Sequence, residues 1–176
     1  EKGVVMFVAK KIGIMADTHD RLQFIDKALK ALNKEEVDLV LHAGDYVAPF
    51  TALRFKPLGA KMIGVFGNND GDKSLLKARF AEIGAQIYGK FAEINVGNLK
   101  IALIHGEEDK LLRALINSNY YDVVIHGHTH KAEKYVVGKT LVINPGEVCG
   151  YLTGKATIAI LNVDKREAKI IDISSF

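Results

Sequence analysis

Only one cysteine, Cys149, occurs among the 176 residues, so no disulfide can form within the chain. That scarcity of thiols suits a reducing cytoplasm. Charge of one sign is also scarce: the formal net charge is +3, and no lysine or arginine run concentrates it. The sequence therefore carries no nucleic-acid-binding signal. Long apolar runs are missing as well. Stretches such as "LVLHAG" and "YYDVVIHG" are strand-sized, far below the ~20 residues a membrane-spanning helix requires. The opening "EKGVVMFVAKK" is too short and too poorly marked for a signal peptide. Residues 1–10 read instead as an extension ahead of Met6 or as an extra strand. No internal repeat, low-complexity tract or Gly/Ser/Pro-rich linker interrupts the chain, so residues 1–176 are expected to form a single domain.

What the sequence does have is short apolar runs alternating with helical periodicity. "KIGIMA" (11–16), "VDLVLHAG" (37–44) and "AKMIGVFGN" (60–68) read as buried strands. Between and after them, "RLQFIDKALKALNK" and "KSLLKARFAEIG" space their apolar residues as helices do, the second ending at Gly84. From there the chain becomes mostly strands, broken by one further helix, "EEDKLLRALINS" (107–118). A βαβαβ half followed by a strand-rich half predicts the α/β class, with two stacked sheets flanked by helices.

Five of the apolar runs end in side chains able to hold a metal. They lead to Asp17-Thr18-His19, Gly44-Asp45, Gly67-Asn68-Asn69-Asp70, His105-Gly106 and Gly127-His128-Thr129-His130. The last run, "VVIHGHTHKAE" (123–133), holds three of the six histidines within five positions. If it is extended, period-two alternation points His128 and His130 the same way. Ligands of open α/β sheets bind beyond the carboxyl ends of the strands, so parallel neighbours would bring these clusters to one rim. Seven candidates result: Asp17, His19, Asp45, Asn68, His105, His128 and His130. Seven exceed what one zinc or magnesium ion takes, and a carboxylate such as Asp45 can bridge two ions. Two divalent cations with only two anionic ligands leave a net positive centre, which favours an anionic substrate and phosphoryl chemistry. The nitrogen and oxygen donor set suits Mn²⁺, Fe²⁺, Ni²⁺ or Zn²⁺ over Ca²⁺; manganese is the expected ion, with Co²⁺ a further alternative.

The ordered set DTH…GD…GNND…HG…GHTH resembles the calcineurin-like metallophosphoesterase superfamily, and within it the small single-domain prokaryotic phosphodiesterases. The likeness runs from about Lys11 to the C-terminus and includes "INPGEVCGYLTG". It implies a four-layer α-β-β-α sandwich of two mixed sheets flanked by helices. It also implies that Asp17, His19 and His130 hold a first metal and Asn68, His105 and His128 a second. Asp45 would bridge them, beside the hydroxide that attacks phosphorus in line. Many members carry histidine directly after the metal-binding asparagine, where it assists the leaving group; here that position is Asn69. Asn69 can donate a hydrogen bond to a phosphoryl oxygen but cannot act as a general acid. Asp70 is expected to orient Asn69 or a water.

Duller roles exist for each residue. Asp17 could cap the following helix, although Asp20 is better placed to do so. Gly44-Asp45 and Gly67-Asn68 could be turn residues selected for positive φ. His105 could be a strand end satisfied by a carbonyl. His42 and His126, inside apolar strands and outside the motif, read as packed structural imidazoles, and Cys149 as an inert small residue. The leading expectation is a metal-dependent phosphodiesterase acting on a small phosphoester. The alternatives are a phosphomonoesterase or nucleotide pyrophosphatase on the same centre, or a protein-binding scaffold such as the retromer coat subunit the fold resembles. No recognisable base- or sugar-binding motif separates them, and homo-oligomerisation is left open.

Overall fold

The computed structural model describes residues 4–176. Its first strand, β1 (Val5–Phe7), lies in the N-terminal stretch, and a βαβαβ run follows: β2 (Lys11–Met15), α1 (Leu22–Lys34), β3 (Leu39–His42), β4 (Lys61–Gly64), α2 (Lys73–Glu82) and β5 (Gln86–Ile87). A 3-10 helix, Pro49–Phe55, which the sequence reading did not anticipate, fills the connection after β3. The second half comprises β6 (Phe91–Val96), β7 (Leu99–Ile104), α3 (Asp109–Asn117), β8 (Val123–Ile125), β9 (Ala132–Val137), β10 (Thr140–Pro145), β11 (Thr157–Asn162) and β12 (Glu167–Asp172).

These strands form two six-stranded mixed sheets, ordered β1-β6-β7-β8-β10-β9 and β12-β11-β2-β3-β4-β5. In the second sheet β2, β3, β4 and β5 run parallel, while β11 joins β2 antiparallel. In the first, β7, β8 and β10 run parallel. The final segment is an outer strand, β12, held only by β11.

Alternation along the strands divides the core into three interfaces, which is what a four-layer sandwich demands. Ile12, Ile14, Leu39, Leu41 and Ile63 from one sheet meet Ile94, Ile101, Leu103, Val123, Ile125 and Ile143 from the other. The intervening residues Met15, Val40 and Met62 point outward, under Ile25, Leu29 and Leu32 of α1 and Leu76 and Phe80 of α2. On the far side, Ala102, Ile104, Val124 and Val142 pack beneath Leu112 and Ile116 of α3. Each fully buried aliphatic side chain contributes about 1.5–3 kcal/mol, so the inter-sheet layer fixes how the strand tips of one sheet face those of the other. No helix among the described residues is long and apolar enough to cross a membrane.

Candidate metal centre

The parallel strands of both sheets deliver their tips to one rim. Asp17 follows β2, Asp45 follows β3 and Asn68 follows β4 in one sheet, whereas His105 follows β7 and His128 and His130 follow β8 in the other. The structure brings all seven candidates together in an unbroken sequence of contacts. His130 Nε2 lies 3.5 Å from Asp17 Oδ1, which lies 3.9 Å from His19 Nε2. Asp45 Oδ2 stands between His19 Nε2 at 3.4 Å and His105 Nε2 at 3.3 Å. Asn68 Oδ1 lies 3.1 Å from His105 Nε2 and 3.0 Å from His128 Nδ1. The ring closes where the His128 backbone N–H donates to Asp17 Oδ2 at 3.1 Å.

Local backbone geometry differs from the extended segment expected around residues 128 and 130. Both histidines have left-handed backbone, with φ of 67° and 62°, so the segment is a turn and period-two alternation does not apply. Its two rings diverge, His128 toward Asn68 and His130 toward Asp17. Asp17, His19 and Asp45 share the left-handed region. For residues with a Cβ this conformation is unfavourable by roughly 1–2 kcal/mol each, and such strain clusters at functional sites. Two glycines allow the crowding: a methyl at Gly67 would overlap the Asp45 carboxylate, and one at Gly127 would sit 2.8 Å from Asp17 Oδ2.

Burial and hydrogen bonding set the charge states. Asp17 is fully buried, and that burial raises its carboxyl to about 6, against the pull of His105 and His130. For Asp45 burial acts the same way, but the bonds from His105 and Asn69 outweigh it and hold its pKa below the usual range. Burial lowers His19 and His128, favouring neutral imidazoles. Asp17 Oδ1 and His19 Nε2 are both buried and have no hydrogen-bond partner.

Several neighbouring roles differ from those expected. Asn69 is engaged with Asp45, donating from Nδ2 to Oδ2 at 2.7 Å and from its backbone N–H to Oδ1 at 2.9 Å. Asp70 does not orient Asn69; it is buried and accepts from the backbone N–H groups of Asp45, Val47 and Gly67, at 3.2, 2.8 and 2.7 Å. It thereby clamps the loops after β3 and β4 together. Asp20 does not cap α1, whose N-cap position is Arg21 without a side-chain bond; it accepts instead from Ala48 N–H. His105 Nδ1 donates to the Ala43 carbonyl at 2.8 Å, so the carbonyl contact and the contact with Asp45 occur on one ring. His42 is stacked on Tyr46 at 4.0 Å and accepts from Gly44 N–H; burial pushes its pKa down to about 3. His126 is buried beside Asn144 and the Gly127 carbonyl.

A family model for the calcineurin-like phosphoesterase superfamily domain matches residues 11–166. The chain belongs to that superfamily. Among its relatives, a phosphodiesterase of Methanocaldococcus jannaschii is 45% identical over 162 residues, spanning 92% of this chain and 98% of that protein. The solved structure of an archaeal phosphodiesterase superposes on this phosphoesterase with a TM-score of 0.88 at 44% identity, covering 92% of this chain and 99% of that one. Vps29 of Entamoeba histolytica, solved with Zn²⁺, shares the fold: TM-score 0.67, 20% identity, 93% and 99% coverage.

Sequence reasoning overlooked one residue of this calcineurin-like site altogether. Glu147 is fully buried behind His130, whose Nδ1 donates to Oε2 at 2.6 Å. Burial alone would raise its pKa, yet the bonds from His130, Thr153 and Cys149 bring it down to about 2. Cys149 lies in the same corner, its Sγ grouped with ligand atoms of His19 and His130. Its thiol donates to Glu147 Oε2 at 3.1 Å, and burial together with that carboxylate pushes it up to about 12, so it stays protonated. An acid inside "NPGEVCG" was the one available signal for Glu147.

Proposed function

We propose that this chain is a phosphodiesterase whose centre holds two divalent cations, with manganese the favoured ion. Asp17, His19 and His130 would hold one and Asn68, His105 and His128 the other, with Asp45 shared. The observation that carries this reading is the pair of orphaned atoms, Asp17 Oδ1 and His19 Nε2, buried side by side, 3.9 Å apart, within the ring of contacts. An unsatisfied buried acceptor is destabilising by about 1–3 kcal/mol, and a cation is the partner that both a carboxylate oxygen and an imidazole lone pair accept. The position of Asp45 Oδ2 between His19 and His105 supports sharing. Cations held there would supply Lewis-acid polarisation of phosphoryl oxygens and activation of water.

The chain's own residues do the rest. Asp70 fixes the two loops that carry Asp45 and Asn68. Asn69, exposed at the rim and bonded to Asp45, presents an amide rather than an acid toward an incoming ester. A diester with a stable leaving anion suits such a site, and the Methanocaldococcus relative, named a phosphodiesterase, supports that preference over a monoester.

The test is hydrolysis of bis-p-nitrophenyl phosphate beside p-nitrophenyl phosphate, with Mn²⁺, Ni²⁺, Co²⁺ or Zn²⁺ added to chelator-treated protein. The expected result is metal-dependent turnover that favours the diester. Asp45→Asn and His128→Ala should each lower kcat/KM by more than about 100-fold, beyond the usual effect of losing an outer partner of a metal ligand. Turnover of the monoester alone would reassign the activity to a phosphomonoesterase. Absence of turnover with every ion would favour a scaffold.

A further inference from the structure

Three imidazoles approach the centre from the β7 and β8 tips, and their far sides are held differently. His105 Nδ1 donates to a backbone carbonyl, that of Ala43, at 2.8 Å. His128 has Nδ1 against Asn68 Oδ1 and is only half-buried. Of the three, only His130 has a carboxylate at Nδ1, which donates to Glu147 Oε2 at 2.6 Å. With its proton on Nδ1, His130 presents the Nε2 lone pair to the cavity beside Asp17 Oδ1, 3.5 Å away.

Glu147 is held as firmly as it holds. Besides His130, its two oxygens accept from Cys149 Sγ, from the backbone N–H groups of Tyr151, Leu152 and Thr153, and from Thr153 Oγ1. The Thr153 contacts are the shortest of these, 2.6 Å from N–H and 2.7 Å from the hydroxyl. A carboxylate with that many donors cannot rotate without losing several bonds together, so the imidazole it holds is fixed in tautomer and direction. Carboxylate partners of metal-binding histidines also raise the basicity of the ring, and losing one lowers metal affinity about 10–100-fold.

We propose that Glu147 is a positioning residue that aims His130 Nε2 and makes the Asp17/His19/His130 half of the centre the tighter of the two cation sites. The proposal rests on the two-cation reading given above. It does not depend on the identity of the ester substrate.

The experiment is calorimetric titration of Mn²⁺ into the chelator-treated full chain, comparing wild type, Glu147→Gln, His130→Ala and the double variant. Wild type is expected to bind two ions per chain with separable affinities. Glu147→Gln should weaken the tighter event by about 10–100-fold and leave the other within a factor of two or three. In the His130→Ala background, Glu147→Gln should have no added effect, because Glu147 acts through that ring. Equal weakening of both events, an unchanged titration, or additive losses would overturn the role of Glu147 while leaving the two-cation reading standing. Wild type that binds no Mn²⁺ would overturn that reading itself. If Glu147→Gln fails to fold, imidazole ¹⁵N spectra of the cation-free wild type decide the matter: His130 protonated on Nδ1 is the expected state, and protonation on Nε2 refutes the proposal.

Discussion

Asparagine at position 69 donates to Asp45 and has no proton to give a departing alkoxide. In a series of diesters, the rate should therefore fall steeply as the leaving group becomes more basic. Alkyl esters should trail p-nitrophenyl esters by about 10²–10⁴-fold, the usual worth of general-acid assistance. A rate nearly flat across the series would show that another group supplies the proton. The seven motif residues could be picked out in sequence because Asp, Asn and His at strand ends are chemically conspicuous. Glu147 could not, and Asp70 was given the wrong partner, since what defines both is what they bind: His130 for one, and the Asp45 and Gly67 amides for the other. A carboxylate that works by gathering donors in the folded chain leaves no pattern of its own in the sequence. The His128/His130 pair shows the opposite failing: spacing suggested a strand, but left-handed φ at both positions makes a turn.

At the scale of elements, helix α1 ends at Lys34, and Glu36 beyond it adopts φ 52° while donating its N–H to the Asn33 carbonyl. Glycine is the residue that this left-handed stop favours. Glu36→Gly should stabilise the protein by about 0.5–1 kcal/mol, the left-handed penalty less the added chain entropy of glycine. Chemical denaturation measures it, and turnover should not change because Glu36 is exposed and remote from the rim; a loss of stability would show that the Glu36 side chain matters more than its backbone. The helices and most strands could be read from periodicity, which burial enforces along their whole length. The 3-10 helix Pro49–Phe55 could not: it is held by tertiary packing of Thr51, Ala52 and Phe55 rather than by a repeating apolar pattern.

Taken as a whole molecule, the sandwich holds buried carboxylate and imidazole atoms without partners, on a backbone in which five of the seven candidate ligands are left-handed. Cations that bind this folded arrangement and not the unfolded chain must stabilise it by mass action. At 100 times the dissociation constant one site adds about 2.7 kcal/mol, or about 5–10 °C in Tm for a domain of this size. Chelation should lower Tm by that amount and added Mn²⁺ should restore it, as followed by calorimetry. A Tm indifferent to both would mean that the folded centre gains nothing from an ion.

The margin of the first sheet is formed by β1, three residues that pair in parallel with β6 from Val5↔Ile94 to Phe7↔Val96. A strand so short offers little free backbone to a neighbouring molecule, whereas β6 behind it is six residues long and lines the inter-sheet core with Ile94 and Val96. Val5–Phe7 thus acts as a selvedge. Trimming it would bare a longer, stickier border, and self-association would be the price.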